Sequence, residues 1–173
     1  MNDIIKNMLE RRSVRDFKSD MISNSDIELI LEAGKYAPTG RNRQSPIIIA
    51  VTNKEMRDKI SKMNAEIMGT DGDPFYGAPV ILIVLADKSV PTYIYDGTLV
   101  MQNLMLSAHS LGISSCWIHR AKEEFESQEG KEILADLGIN GDYEGIGHVA
   151  LGYAKSTPNS PSPRKESYIY YIK

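Results

Sequence analysis

Arg11, Arg12, Ser13 and Arg15 put three guanidinium groups and a hydroxyl within five residues. A guanidinium is planar, permanently charged and forks onto phosphate or carboxylate oxygens, so a cluster of three repels itself unless an anion relieves it. A phosphate-bearing ligand is the natural candidate; the alternative is a solvated basic helix end, since cations sit well at a helix C-terminus. Further anion-binding and amide-rich pieces lie at 38–44, 118–120 and 164–165. Thr39 to Pro46 is a polar loop with Arg41, Arg43, Asn42 and Gln44, too rich in hydrogen-bonding groups to be a plain spacer.

Other chemistries are poorly served. There is no Gly-x-Gly-x-x-Gly turn between a strand and a helix, no Walker phosphate loop and no Gly-x-Ser-x-Gly elbow. His109, His119 and His148 have no spacing that suggests a triad or a metal site, and Cys116 is the one cysteine, so neither an internal disulfide nor a zinc-ligand set is expected. The free thiol suits a reducing cytoplasm. Twenty basic against 23 acidic residues leave a net charge of -3, with no global positive field to gather nucleic acid or an anionic membrane. No apolar run reaches the ~20 residues of a membrane span. The protein is expected to be soluble and cytoplasmic.

The elements that must position these groups follow from periodicity. Ile4, Ile5, Met8 and Leu9 give a short first helix over 2–11 that delivers the arginines at its end. A capping box at Ser25 opens a second helix, about 25–36, stopped by Pro38. Ile47 to Thr52 is a β-branched run that reads as a strand buried on both faces, followed by a helix to about 67. Val80 to Ala86, the most apolar run, is expected to be the central strand. A helix over 91–111 is apolar on most faces, which predicts burial in the core or at a subunit interface. A strand at 113–118, a charged helix at 122–136 and a glycine-bearing strand at 145–153 complete one sheet covered by helices, α+β or α/β. Beyond a proline-rich stretch at 156–163, Tyr168 to Ile172 has strong strand propensity and is expected to reach a distant edge, such as that of a neighbouring chain. A single domain over 1–173 accounts for all of this.

Six motifs in order carry a family resemblance: Arg-Arg-Ser-x-Arg-x-Phe at 11–17, Ala-Pro-Thr-x-x-Asn-x-Gln at 37–44, Tyr-x-Ala-Pro at 76–79, Gln-Asn-x-x-Leu at 102–106, Leu-Gly-x-x-Ser-Cys-Trp-Ile at 111–118 and Arg-Lys at 164–165. Together they resemble the nitroreductase family of FMN-dependent oxidoreductases, from about residue 3 to the C-terminus. The resemblance implies a three-layer α-β-α sandwich of the α+β class and a domain-swapped homodimer, with the 156–173 tail reaching the partner and FMN at the interface.

It further implies that Arg11, Arg12, Ser13 and Arg15 form the first FMN-binding segment, Arg15 facing the pyrimidine edge of the flavin, while Arg164 and Lys165 complete the phosphate site. Pro38, Thr39, Gly40, Asn42 and Gln44 correspond to the loop a partner subunit contributes. Cys116, Trp117, Ile118, His119 and Arg120 correspond to the strand end along the ring, contributing amides more than side chains. The implied activity is ping-pong hydride transfer from NADH or NADPH to nitroaromatic, quinone or similar acceptors, with no catalytic side chain and no metal. The readings set against it are a narrower reductase or dehalogenase on the same scaffold, and a flavin-binding or redox-sensing module without turnover. The chain departs from the family pattern at Gln44-Ser45-Pro46-Ile47, where many relatives carry a tryptophan, and the short Lys54 to Ala78 stretch leaves little to cover the site, so an open pocket is expected. Asn64 or the 69–73 loop is a candidate for a ring contact.

Overall fold

A computed structural model describes residues 1–158 and 160–173. Its elements are α1 (Asp3–Glu10), α2 (Asn24–Lys35), a short turn at Gly40–Asn42, β1 (Pro46–Val51), α3 (Lys54–Met68), β2 (Val80–Asp87), α4 (Tyr93–Ser110), β3 (Ser114–Ile118), α5 (Ala121–Glu126), α6 (Gln128–Asp136) and β4 (Tyr143–Gly152). The four strands form one antiparallel sheet in the order β1-β2-β4-β3.

β2 shows why the fold has three layers. Every residue from Val80 to Ala86 is fully buried, and successive side chains of a strand point to opposite faces. Ile81, Ile83 and Leu85 join a core with Ile60, Met63, Phe125 and Ile133, from α3, α5 and α6. Val80, Leu82 and Val84 join a second core with Ile27, Ile30, Val100 and Leu104, from α2 and α4. The expected central strand and the α-β-α sandwich of the α+β class are therefore both present.

Two expectations need correction, those for β1 and for the helix over 122–136. β1 is not buried on both faces: it is an edge strand pairing only with β2, and Ile47, Ile48 and Ile49 remain partly exposed. Within the single chain α4 buries one face in the core and leaves Ile94, Tyr95 and Leu99 exposed. The helix expected over 122–136 is two helices, because Ser127 is extended (φ -68°, ψ 162°) and its hydroxyl accepts from the Gly130 amide, starting α6 afresh. Tyr168 to Ile172 is exposed throughout and pairs with no strand among the described residues of this chain.

The glycines of β4 do permit close approach. A Cβ on Gly145 would lie 2.2 Å from both the carbonyl carbon and oxygen of Ala121, where backbone cannot give way. Gly145→Ala is expected to cost about 3 kcal/mol, lowering Tm by roughly 6–12 °C; a thermal unfolding curve matching the parent would refute this packing constraint.

Candidate functional site

The arginine segment is fixed by backbone pairing. α1 ends at Glu10, and the chain then runs along β3: Ser13 bridges Ser115 in parallel and the Val14 amide donates to the Ser115 carbonyl at 3.0 Å. It continues past the end of β4, where Phe17 bridges Ala154 and the Lys18 amide donates to the Tyr153 carbonyl at 2.8 Å. Val14 and Phe17 enter the core while Ser13 and Arg15 face outward.

Charge in this segment is poorly compensated. Among the described residues Arg57 is the one arginine of eight within salt-bridge distance of a carboxylate. Arg12 Nη1 donates to the Leu9 and Arg11 carbonyls at 2.7 and 2.6 Å, but Arg12 Nε and Arg11 Nη1 are buried without partners. Burial, and then the neighbouring Arg12 charge, lower the Arg11 pKa. Buried donors without acceptors are costly, and an anion supplying oxygens here would remove both penalties. The residues thus suit a phosphate group.

Arg15 lines a hollow of about 380 Å³ with Tyr76, Trp117, Ile118, His119 and Arg120. A second, of about 440 Å³, shares Trp117, His119 and Arg120 and is bounded by Ile94 and Ile146, so the end of β3 is the wall between them. Trp117 can lie there because position 147 is glycine: a Cβ on Gly147 would sit 2.8 Å from the indole nitrogen. Arg120 turns the chain into α5 with φ 78°, a left-handed conformation uncommon for a residue with a Cβ. Cys116 is buried, and that burial pushes its thiol pKa up, which fits packing rather than nucleophilic duty.

The floor of the first hollow is the 68–76 loop, held by one carboxylate. Asp73 accepts from the Arg57 guanidinium, from Ser61 Oγ at 2.7 Å and from the Phe75 and Gly77 amides at 2.9 and 2.7 Å. Arg57 in turn donates from Nε to the Ala78 carbonyl at 2.9 Å.

The remaining sequence candidates lie elsewhere in the chain. Pro38, Thr39, Asn42 and Gln44 line a separate groove of about 880 Å³ with Tyr36 and Ile47. Their loop is tied to buried Asp96 of α4, which accepts from the Gly40 amide at 2.9 Å and from the Ser45 and Thr92 hydroxyls at 2.8 and 3.0 Å. Arg41, Asn42 and Gln44 all have positive φ, at 55°, 54° and 50°. Arg164 and Lys165 are exposed on the tail, Lys165 Nζ lying 5.5 Å from the Tyr168 ring. Within one chain, Arg11 to Arg15 and Cys116 to Arg120 are brought together; the 38–44 loop and the tail pair are not. Asn64 is fully buried beneath the strand end, and of the expected 69–73 loop Thr70, Gly72 and Asp73 line the hollow.

Compared with known proteins, the chain matches the family model described as the nitroreductase family over residues 8–74 and 66–153. It is 32% identical over 160 residues to a protein of Archaeoglobus fulgidus provisionally named NADH dehydrogenase/NAD(P)H nitroreductase, an overlap of 90% of this chain and 87% of that one. The structure of a nitroreductase with bound FMN from Bacteroides fragilis superposes with a TM-score of 0.88 at 28% identity, and one from Desulfitobacterium hafniense, also with bound FMN, with 0.88 at 31%; each match covers 100% of both chains.

Asp73 makes the acid stability of this region testable. Burial raises its pKa, but the bonds from Arg57, Ser61 and the two amides outweigh it, and the net value lies below the ordinary carboxylate range. Its contribution is therefore complete above the unfolded carboxylate pKa and lost as pH falls through the lower folded value. Urea unfolding followed against pH is expected to show a shallower acid limb in Asp73→Asn than in the parent, and Arg57→Ala to lose about 3 kcal/mol at neutral pH. Parallel acid limbs would remove Asp73 from that role.

Proposed function

We infer a function from the premise that this chain belongs to the nitroreductase family. It is an NAD(P)H-dependent flavin oxidoreductase, with FMN as cofactor and NADH or NADPH as electron donor. We propose that it reduces nitroaromatic, quinone or similar acceptors, donor and acceptor occupying one place in turn, and that the whole chain, 1–173, acts as one unit in the cytoplasm. The observation that carries the cofactor assignment to particular residues is the pair of buried, unpartnered guanidinium nitrogens on Arg11 and Arg12, beside a hollow walled by Arg15 and Trp117.

On this reading Arg11, Arg12 and Ser13 hold the FMN phosphate, with Arg164 and Lys165 completing the charge. Arg15 lies toward the pyrimidine edge, where a fixed cation favours the negative charge that reduction puts there. Cys116 to Arg120 form the wall against the ring, and the amides of His119 and Arg120 offer hydrogen bonds at its edge. When bound, FMN supplies the hydride acceptance and donation, which is why no side-chain nucleophile or triad is required.

A homodimer would complete the site. Three apolar surfaces lie uncovered in the single chain: Ile4, Ile5, Met8 and Leu9 on α1, which buries no residue; Ile94, Tyr95 and Leu99 on α4; and Tyr168 to Ile172 on the tail. Exposed apolar area of this extent favours a protein partner, and a second copy would supply the Pro38, Thr39, Gly40, Asn42 and Gln44 loop to the Arg15 hollow. Removing residues 156–173 is expected to shift the sedimentation of the protein toward a monomer and to lower FMN occupancy together; a dimer with full FMN after truncation would exclude the tail from both roles.

The absorbance of the purified protein tests the central reading. Visible flavin bands that bleach on adding NADH or NADPH are expected, and Arg11→Ala combined with Arg164→Ala is expected to release the cofactor, each charge-assisted bond to phosphate contributing about 1.5–3 kcal/mol. A double variant with full occupancy would make both arginines surface charges, and a colourless parent that takes up no added FMN would overturn the reading.

A further inference from the structure

Beneath the β3–α5 turn three elements contribute fully buried polar side chains for which the function above has no use: Asn64 from α3, Glu124 from α5 and His148 from β4. They form a chain of bonds. His148 Nε2 lies 2.9 Å from Glu124 Oε2, and Glu124 Oε1 accepts from Asn64 Nδ2. The same amide nitrogen donates to the His119 carbonyl at 2.8 Å, while Asn64 Oδ1 accepts from Arg120 Nε at 3.0 Å. His148 Nδ1 is buried without a partner, so the imidazole proton belongs on Nε2, facing the carboxylate. The edge of Phe75 closes over the ring, with centroids 5.2 Å apart at 87°.

Two unfavourable features coincide here. A carboxylate and an imidazole withdrawn from water lose solvation that apolar side chains of the same volume would not. Arg120 holds a left-handed backbone that a glycine would adopt without strain. Both converge on two residues of the wall between the hollows, and Asn64 grips both: the carbonyl of one and the guanidinium of the other. Arg120 Nη2 also rests 3.2 Å from Met68 Sδ, so its side chain is engaged by α3 at both Asn64 and Met68.

We propose that Asn64, Glu124 and His148 are positioning residues, which hold His119 and Arg120 in the left-handed turn so that their amides meet a ligand in one fixed geometry. That this ligand is FMN rests on the function proposed above. Asn64 is suited to the task because both its donor hydrogens and its acceptor oxygen are engaged at once, a combination its isostere aspartate lacks. Glu124 fixes the amide from behind, and His148 fixes Glu124.

The test compares Asn64→Asp and Glu124→Ala with the parent, and includes Glu124→Gln, which keeps an acceptor for Asn64 and can pair with the other His148 tautomer. In the FMN-free proteins, amide hydrogen exchange over residues 118–121 is expected to quicken by about tenfold or more in the first two variants while β2 stays protected. In the FMN-loaded proteins the cofactor is expected to remain bound, its midpoint potential to move, and its reduction by NADH to slow by about 10- to 100-fold, with Glu124→Gln recovering most of both. Unchanged exchange at 118–121 would overturn the proposal. Faster exchange with an unaltered potential and rate would overturn it too, reducing the three residues to core packing. If the parent takes up no FMN, the flavin reading fails by itself and the exchange data alone decide whether the three residues set the turn.

Discussion

Val14 donates its amide to the Ser115 carbonyl, and this brief parallel pairing decides where three permanent charges go. A guanidinium cannot shed its proton at ordinary pH, so wherever the backbone carries it a counter-charge or water must follow. The pairing lays Arg11 to Arg15 along the free side of β3, with Val14 and Phe17 anchored in the core and, among the described residues, no carboxylate within salt-bridge distance of these arginines. The same pairing sets Arg15 beside Trp117 to Arg120. The site therefore descends from sheet topology: β3 is at the sheet edge, and an N-terminal segment covers it.

Irregular backbone in this chain is held by single carboxylates that each collect several donors. Asp73 gathers the 68–76 loop, Asp96 gathers the 39–45 loop, and Glu124 braces the turn at Arg120 through Asn64. Loops cannot satisfy their own amides as helices and strands do, and a carboxylate with several acceptor positions can collect donors from residues distant in sequence. The positive φ values at Arg41, Asn42, Gln44, Tyr76 and Arg120 all fall in or beside segments tied this way. Left-handed residues with side chains persist only where the surroundings over-determine them.

Much of this was legible in the sequence because it was written in local pattern. The unbroken apolar run of Val80 to Ala86, which demands cover on both faces, and helical spacing in α2 and α3 gave the layers, and the motif Arg-Arg-Ser-x-Arg marked the charged segment. What escaped was non-local. Glu124 sits in a helix dense with charge and reads as one more solvated glutamate, yet it is fully buried against His148, 24 positions later. Asp73 looks like a loop residue, and Asp96 like an ordinary first-turn acid. The exposure of β1 depended on strand order, which periodicity does not encode. Ser127 had a capping signal, Ser-x-x-Gly, but the run of charge around it suggested continuity.

Trp117 is the chain's single tryptophan, and the notch left by Gly147 seats it in the wall shared by two hollows. Its aromatic neighbour there is His119, at 6.2 Å between ring centroids. Emission excited at the red edge of the aromatic absorption, where the nine tyrosines contribute little, thus originates from one indole, and an aromatic guest on either side would lie within range to accept its excitation. The protein carries its own optical probe, placed in the lining of both hollows.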